Sequence, residues 1–174
     1  MRSALDRRWL LAASGLLFVV SQGAILFVVA PIGGELLELQ CLGFSAERTL
    51  AIYREWERSG AMSAYRAHFT LDAVHWVWYS VFATCLLCRQ FERHRVDPRF
   101  DWILIAPLVS GLLDALENGI QQHFLHSPDF AAITDPLALL GTLASWGKWL
   151  LVAGYVSLAL LLIVRRPSRD CRTG

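Results

Sequence analysis

Residues 9–30 of the chain read WLLAASGLLFVVSQGAILFVVA, an apolar run in which no side chain carries a charge. Because a helix rises about 1.5 Å per residue, this run is long enough to cross the ~30 Å hydrocarbon core of a bilayer. It exceeds the roughly 7–15 apolar residues of a signal peptide, and Pro31 follows the only small-residue position at which cleavage is plausible. We therefore predict an uncleaved first membrane span.

The composition of the whole chain agrees with a membrane protein. Of its 174 residues, 55% are hydrophobic and 18% are charged. Soluble domains usually have about 45–50% apolar and about 25% charged residues. The formal net charge is only +1, so no basic surface is left for a nucleic-acid partner.

Three further apolar stretches, at about 69–88, 102–123 and 137–164, are also long enough to cross a bilayer. The first two of them contain ionisable side chains, but their length and apolar flanks still favour spanning. The expected fold class is all-α: an integral membrane four-helix bundle that forms a single domain over residues 1–174.

Arginine placement predicts the orientation of the four spans. Arginines occur before span one, between spans two and three, and after span four: Arg2, Arg7, Arg8, Arg89, Arg93, Arg95, Arg99, Arg165, Arg166, Arg169 and Arg172. The loop at 126–136 has no Lys or Arg. Since cytoplasmic loops are enriched in basic residues, both termini are expected in the cytoplasm, with a cytoplasmic tail at 165–174. Lys148 is the only lysine in the chain, and such a bias towards arginine, usual in GC-rich genomes, favours a bacterial source. Together with the four spans this predicts a multi-pass protein of a bacterial inner membrane.

The segment between spans one and two, about 35–68, is predicted to be an external helical cap. Ser45 can N-cap a helix that Gly60 ends. One face of this helix carries Leu50, Tyr53 and Trp56. We expect short helices at the outer membrane surface that cover the bundle, either as a plain interfacial cap or as a gate over a site.

Polar side chains inside the spans define the candidate site. Ionisable groups are costly in a membrane, so each is a functional hypothesis. The expected binding residues are Asp72, His75, Tyr79, Asp114, Glu117, Asn118, Gln121 and Lys148. Those of spans two and three follow helical spacing, which places them on one face of each helix. This predicts an outward-facing polar site within the membrane.

Depth in the membrane suggests which of these groups meet. Counted inward at about 1.5 Å per residue, Asp114 and Lys148 lie near the midplane, and Glu117 and His75 lie at a similar smaller depth. The predicted pairs are Asp114–Lys148 and Glu117–His75. If the site is catalytic, Asp114, Glu117 and His75 are the acid–base candidates, because burial tunes such groups towards neutral pH.

Three functions are compatible with this pattern. The first is that the polar site binds a small or lipid-like molecule, and in one version of this hypothesis it also converts that molecule. The second is a proton-coupled transport component, since carboxylate, histidine and lysine can relay protons. The third is a structural partner subunit of a homo- or hetero-oligomeric membrane complex, in which an ion pair only fixes helix register.

Metal, haem and redox chemistry are less favoured. His75 alone lies well inside a span, so no cofactor is predicted, and haem or metal ligation through His75 is the weaker interpretation. Cys85 and Cys88 lie at the internal end of span two, and Cys41 has no external partner. Four-helix quinone-coupled disulfide oxidoreductases instead place reactive cysteines externally, so these residues are interpreted as small apolar filling.

Several short motifs are distributed along the chain. They are GGELLELQ from Gly33 to Gln40, then Tyr65, Asp72 and Tyr79, and finally DALEN from Asp114 to Asn118. Together they resemble a family of small four-span membrane proteins to which no activity is assigned. The resemblance covers most of the chain and implies the four-span fold, but no reaction.

Overall fold

The computed structural model describes residues 2–165, which form α-helices and short 3-10 helices without a strand. The α-helices are α1 Arg2–Leu5, α2 Arg8–Val29, α3 Glu35–Leu42, α4 Ala46–Ser59, α5 Met62–Arg93, α6 Ala106–His126 and α7 Asp135–Val164. The 3-10 helices are Pro98–Ile105, which leads into α6, and Pro128–Phe130. Apart from Arg165, the predicted cytoplasmic tail lies outside the described residues.

Four helices are long and apolar enough to cross a membrane: Arg8–Val29, Met62–Arg93, Pro98–His126 and Asp135–Val164. This confirms the prediction of an all-α chain with four candidate membrane spans. Of these four helices, α5 is longer at both ends than the predicted span at 69–88. No Gly or Pro interrupts the sequence between Met62 and Phe69, so this part of the expected cap continues α5 instead.

The long helices contact one another in sequence order. α2 packs on α5, α5 on α6, and α6 on α7, and α5 also reaches α7. The helices α5, α6 and α7 therefore enclose a common interior, whereas α2 leans mainly on α5. The outer surface of α2 is apolar and exposed: Leu16, Val20 and Phe27 are 66%, 62% and 83% accessible.

Two apolar clusters close the ends of this interior. At one end, Tyr53 and Trp56 of α4 are fully buried against Tyr65 of α5 and Phe124 of α6. A second cluster forms at the opposite end: Leu87, Cys88, Phe91, Leu104, Tyr155 and Ala159. The charged residues of the spans lie between these two clusters.

The ends of α4 follow the local signals in the sequence. The Ser45 hydroxyl accepts a hydrogen bond from the backbone N–H of Arg48 at 3.2 Å, which caps the helix start. Gly60 adopts φ +82° at the helix end, a left-handed conformation that costs little only for glycine. The predicted start and end of this helix are confirmed.

Gly60→Ala is expected to lower the free energy of unfolding by about 1 kcal/mol, because a Cβ is strained in the left-handed region. Gly34→Ala is the matched control, since Gly34 has φ −69° and a Cβ there has nothing within 4 Å. Unfolding in detergent followed by circular dichroism measures both. Equal stability of the two variants would contradict the role of Gly60.

Candidate functional site

A buried ion-paired cluster occupies the interface between α6 and α7. The Lys148 Nζ donates hydrogen bonds to Asp114 Oδ1 at 2.7 Å and to Glu117 Oε2 at 2.6 Å. The three residues are 6%, 6% and 3% exposed. Asp114 and Glu117 are three residues apart on α6, so both carboxylates lie on one face and reach the same ammonium group. The predicted Asp114–Lys148 contact is present.

Glu117 does not pair with His75, and that prediction is wrong. The Glu117 carboxylate is bound to Lys148, whereas His75 Nδ1 lies 2.8 Å from the Ser21 hydroxyl of α2. The His75 ring also packs against Phe18 of α2, with centroids 5.7 Å apart. His75 therefore occupies the face of α5 that meets α2, while the charged cluster is held by α6 and α7.

The polar stripe of α6 meets a different helix at each turn. Next to the ion pairs, Asn118 Nδ2 donates to Asp72 Oδ2 of α5 at 2.7 Å. Further towards α4, the Tyr53 hydroxyl donates to Gln121 Oε1 in a buried contact. One face of α6 thus binds α7, α5 and α4 through neutral and charged hydrogen bonds.

Some buried hydroxyl groups in this region lack a hydrogen bond of good geometry. Among residues 2–165 these are the hydroxyls of Tyr79, Ser80 and Ser145. Ser145 nevertheless lies within reach of Glu117, and Tyr79 lies within reach of Ser110 and Asp114. Ser145 lies one helical turn before Lys148 on α7, and Tyr79 lies one turn after His75 on α5. Their hydroxyls can donate or accept hydrogen bonds to a guest molecule.

The charge of the site is unbalanced. Asp72, Asp114 and Glu117 supply three carboxyl groups, and Lys148 supplies one ammonium. A buried carboxylate without a counter-charge is costly, so such a site attracts a cation or a proton. The arrangement is thus suited to holding positive charge between the helices.

No family model, curated protein or solved structure matches this chain.

Tyr53 and Ser21 are contacts that the sequence did not single out as site residues. The sequence pattern places Tyr53 only on an apolar helix face. Burial raises the pKa of the Tyr53 phenol above its ordinary value, so this hydroxyl stays protonated and donates to Gln121. The amphipathic pattern of α4 predicts that Tyr53 faces the bundle, but it does not predict which residue Tyr53 contacts.

The remaining candidates of metal and redox chemistry lie apart from this cluster. In the part of the chain that the structure describes, no group of three or more His, Cys, Asp or Glu side chains is arranged to hold a metal ion. Cys41, Cys85 and Cys88 are free thiols, and Cys171 lies outside the described residues.

A cleft of about 270 Å³ is lined by residues of α4, α5 and the loop after α6.

Tyr53→Phe is expected to lower the free energy of unfolding by roughly 1–3 kcal/mol, because it leaves the Gln121 carbonyl buried without its donor. The double variant Tyr53→Phe/Gln121→Leu removes both partners and should recover most of that loss. Thermal unfolding of the purified variants in detergent gives the comparison. If the stability lost in the double variant equals the sum of the losses in the two single variants, the hydrogen bond does not contribute to stability.

Proposed function

We propose that the protein is a multi-pass membrane protein whose intramembrane polar site binds a small or lipid-like molecule. The four spans form a bundle in a bacterial inner membrane, with both termini cytoplasmic and with α3 and α4 at the outer surface. The arginine distribution supports this orientation, and the apolar character of the four helices supports insertion.

One observation carries the proposal: polar side chains continue from the α4 end of the bundle to its centre. They run from Tyr53–Gln121 through Asp72–Asn118 to Lys148. At the other end, the apolar cluster around Leu87, Phe91 and Leu104 closes the interior. A molecule would therefore reach the centre of the bundle from the α4 side. Because Tyr53 and Trp56 close that end, α4 has to act as the gate.

The chemistry of the site supports a ligand with a positively charged or hydrogen-bonding group. The surplus carboxyl groups attract a cation, and the hydroxyls of Tyr79 and Ser145, which lie beside Asp114 and Glu117, add hydrogen-bonding groups to the site. In conversion of the ligand, Asp114 or Glu117 is the group that exchanges a proton with it. His75 is bound to Ser21 and is the weaker candidate for that role.

The test is to purify the wild type, Glu117→Gln and Glu57→Gln and to identify co-purifying small molecules and lipids by mass spectrometry. Glu57 is exposed on α4, so Glu57→Gln makes the same chemical change outside the site. We expect one compound on the wild type and on Glu57→Gln, and its loss from Glu117→Gln. The same compounds on all three proteins would contradict the proposal.

Asp72→Asn provides a second site variant, since Asp72 is half-buried and bound to a neutral partner. Its helical content by circular dichroism and its elution volume show whether it folds. Loss of the ligand from folded Asp72→Asn supports the site directly. Retention by both site variants would instead favour a structural partner subunit.

A proton-coupled transport component is the second candidate, favoured by the excess of carboxyl groups near the centre of the spans. Transport requires a polar path to both sides, and the cluster around Leu87 and Phe91 is apolar. Proteoliposomes that carry a pH-sensitive dye decide between the two. Proton uptake that is lost in Glu117→Gln would support transport over binding.

A further inference from the structure

A candidate second site lies at the end of the bundle away from α4. A cleft of about 530 Å³ opens between the start of α2 and the end of α5. Its lining residues are Asp6, Arg8, Arg89, Gln90, Glu92 and Arg93. The cleft belongs to neither the polar stripe of α6 nor the α4 cap, and its role is independent of the function proposed above.

Three arginines of this cleft are available for a ligand. Arg8, Arg89 and Arg93 form no ion pair with any of residues 2–165, whereas Arg2 nearby is bound to Asp101. Against the two acidic residues, the three arginines leave a lining charge of +1. Guanidinium groups bind phosphate through paired N–H donors, so this lining favours a phosphate-bearing anion.

Gln90 provides an independent sign of a ligand. It lines the cleft and is 6% exposed, yet its side-chain oxygen has no hydrogen-bond partner among the described residues. A buried polar atom without a partner is costly and rare in folded proteins. Because this oxygen is itself buried, a hydroxyl group of a bound molecule satisfies it only when the Gln90 side chain turns towards the cleft.

The walls of the cleft are arranged for a ligand at the membrane surface. α2 begins at Arg8 without a side-chain cap, so the positive end of the helix dipole lies at the cleft. The Arg2 bond to Asp101 holds α1 against the 3-10 helix Pro98–Ile105, and the Cys88 thiol, which donates to the Arg2 carbonyl oxygen at 3.4 Å, holds α1 against α5. Trp9, next to Arg8, is 63% exposed, as is typical of an aromatic residue at a lipid interface.

We propose that this cleft binds a phosphate group, supplied by the headgroup of an anionic phospholipid whose acyl chains lie along the exposed apolar surface of α2. Arg8, Arg89 and Arg93 bind the phosphate, and Gln90 accepts a hydrogen bond from a headgroup hydroxyl. Basic residues at the ends of spans are usual signals of topology. The open cleft that gathers three arginines and the unpartnered oxygen of Gln90 go beyond that signal.

Native mass spectrometry of the full chain in detergent, titrated with dioleoyl phosphatidylglycerol or dioleoyl phosphatidylcholine, tests the proposal. We expect the wild type to bind the anionic phosphatidylglycerol more tightly than the zwitterionic phosphatidylcholine. The double variant Arg89→Gln/Arg93→Gln should weaken the binding of phosphatidylglycerol by at least about tenfold. Each juxtamembrane arginine contributes a factor of roughly five to the affinity for an anionic lipid. Arg8→Gln, in the exposed first turn of α2, is an independent single variant.

Arg7→Gln is the matched control, because Arg7 is an exposed arginine at the same end of α2 but does not line the cleft. An equal loss of binding in Arg7→Gln, or equal binding of the two lipids by the wild type, would overturn the site. A parallel titration with inorganic phosphate separates the sources. If phosphate alone binds and phosphatidylglycerol does not, the phosphate site stands but the lipid assignment is overturned.

Discussion

Replacing Lys148 with methionine is expected to lower the free energy of unfolding by roughly 3–5 kcal/mol, the usual cost of removing one partner from a buried ion pair. The ammonium group is the hydrogen-bond donor to both Asp114 and Glu117, which are 6% and 3% exposed. Without it, two carboxyl groups three residues apart on α6 lose their counter-charge. Thermal unfolding in detergent and the yield of monodisperse protein measure the effect.

The matched variant is Lys148→Met/Asp114→Asn/Glu117→Gln, which removes all three charges together. Because no uncompensated charge remains, most of the stability lost in the single variant should return. Full stability of Lys148→Met alone would contradict the account of the cluster. If the triple variant folds but no longer retains the co-purifying molecule, the cluster binds a ligand. If it folds and still retains the molecule, the cluster is structural.

Gly111→Ala is expected to destabilise the contact between α5 and α6 by roughly 1–3 kcal/mol, the typical cost of overpacking a core. A Cβ at Gly111 would lie 2.2 Å from the Ser80 hydroxyl oxygen and 3.2 Å from the Trp76 carbonyl oxygen. The hydroxyl can rotate, but the backbone carbonyl cannot, so the helices must move apart. The midpoint of thermal unfolding reports the loss.

Gly119→Ala on the same helix is the control, since a Cβ there has nothing within 4 Å. Helix propensity alone should leave it neutral or more stable by up to about 1 kcal/mol. Gly111→Ala/Ser80→Ala removes the closest contact and should recover part of the loss. If Gly111→Ala and Gly119→Ala have the same stability, the close approach of α5 and α6 at Gly111 is unimportant.

Much of the secondary structure could be predicted because its causes are local. The uncharged run at 9–30 and the apolar stretches that follow are recognisable from adjacent residues alone. Ser45 and Gly60 mark the ends of α4 through backbone chemistry that involves only neighbouring positions. The length of α5 was underestimated because a helix can continue beyond its apolar stretch when no residue ends it.

The pairing of polar residues was predicted only in part. Counting residues from the end of a span gives depth, and this placed Asp114 level with Lys148. It does not give the rotation of a helix about its axis, so His75 was paired with Glu117 although it faces Ser21 of α2. The bond from Tyr53 to Gln121 depends on how α4 lies over the bundle, which no local pattern contains.

The sequence by itself determined four apolar helices, an amphipathic α4 and a polar stripe on α6. These depend on hydropathy, helical period and capping, which act between residues close in the chain. Only the tertiary structure decided that Lys148 binds both Asp114 and Glu117 and that Tyr53 reaches Gln121. Those contacts depend on how the helices turn and approach, which close packing such as Gly111 against Ser80 sets across the whole bundle.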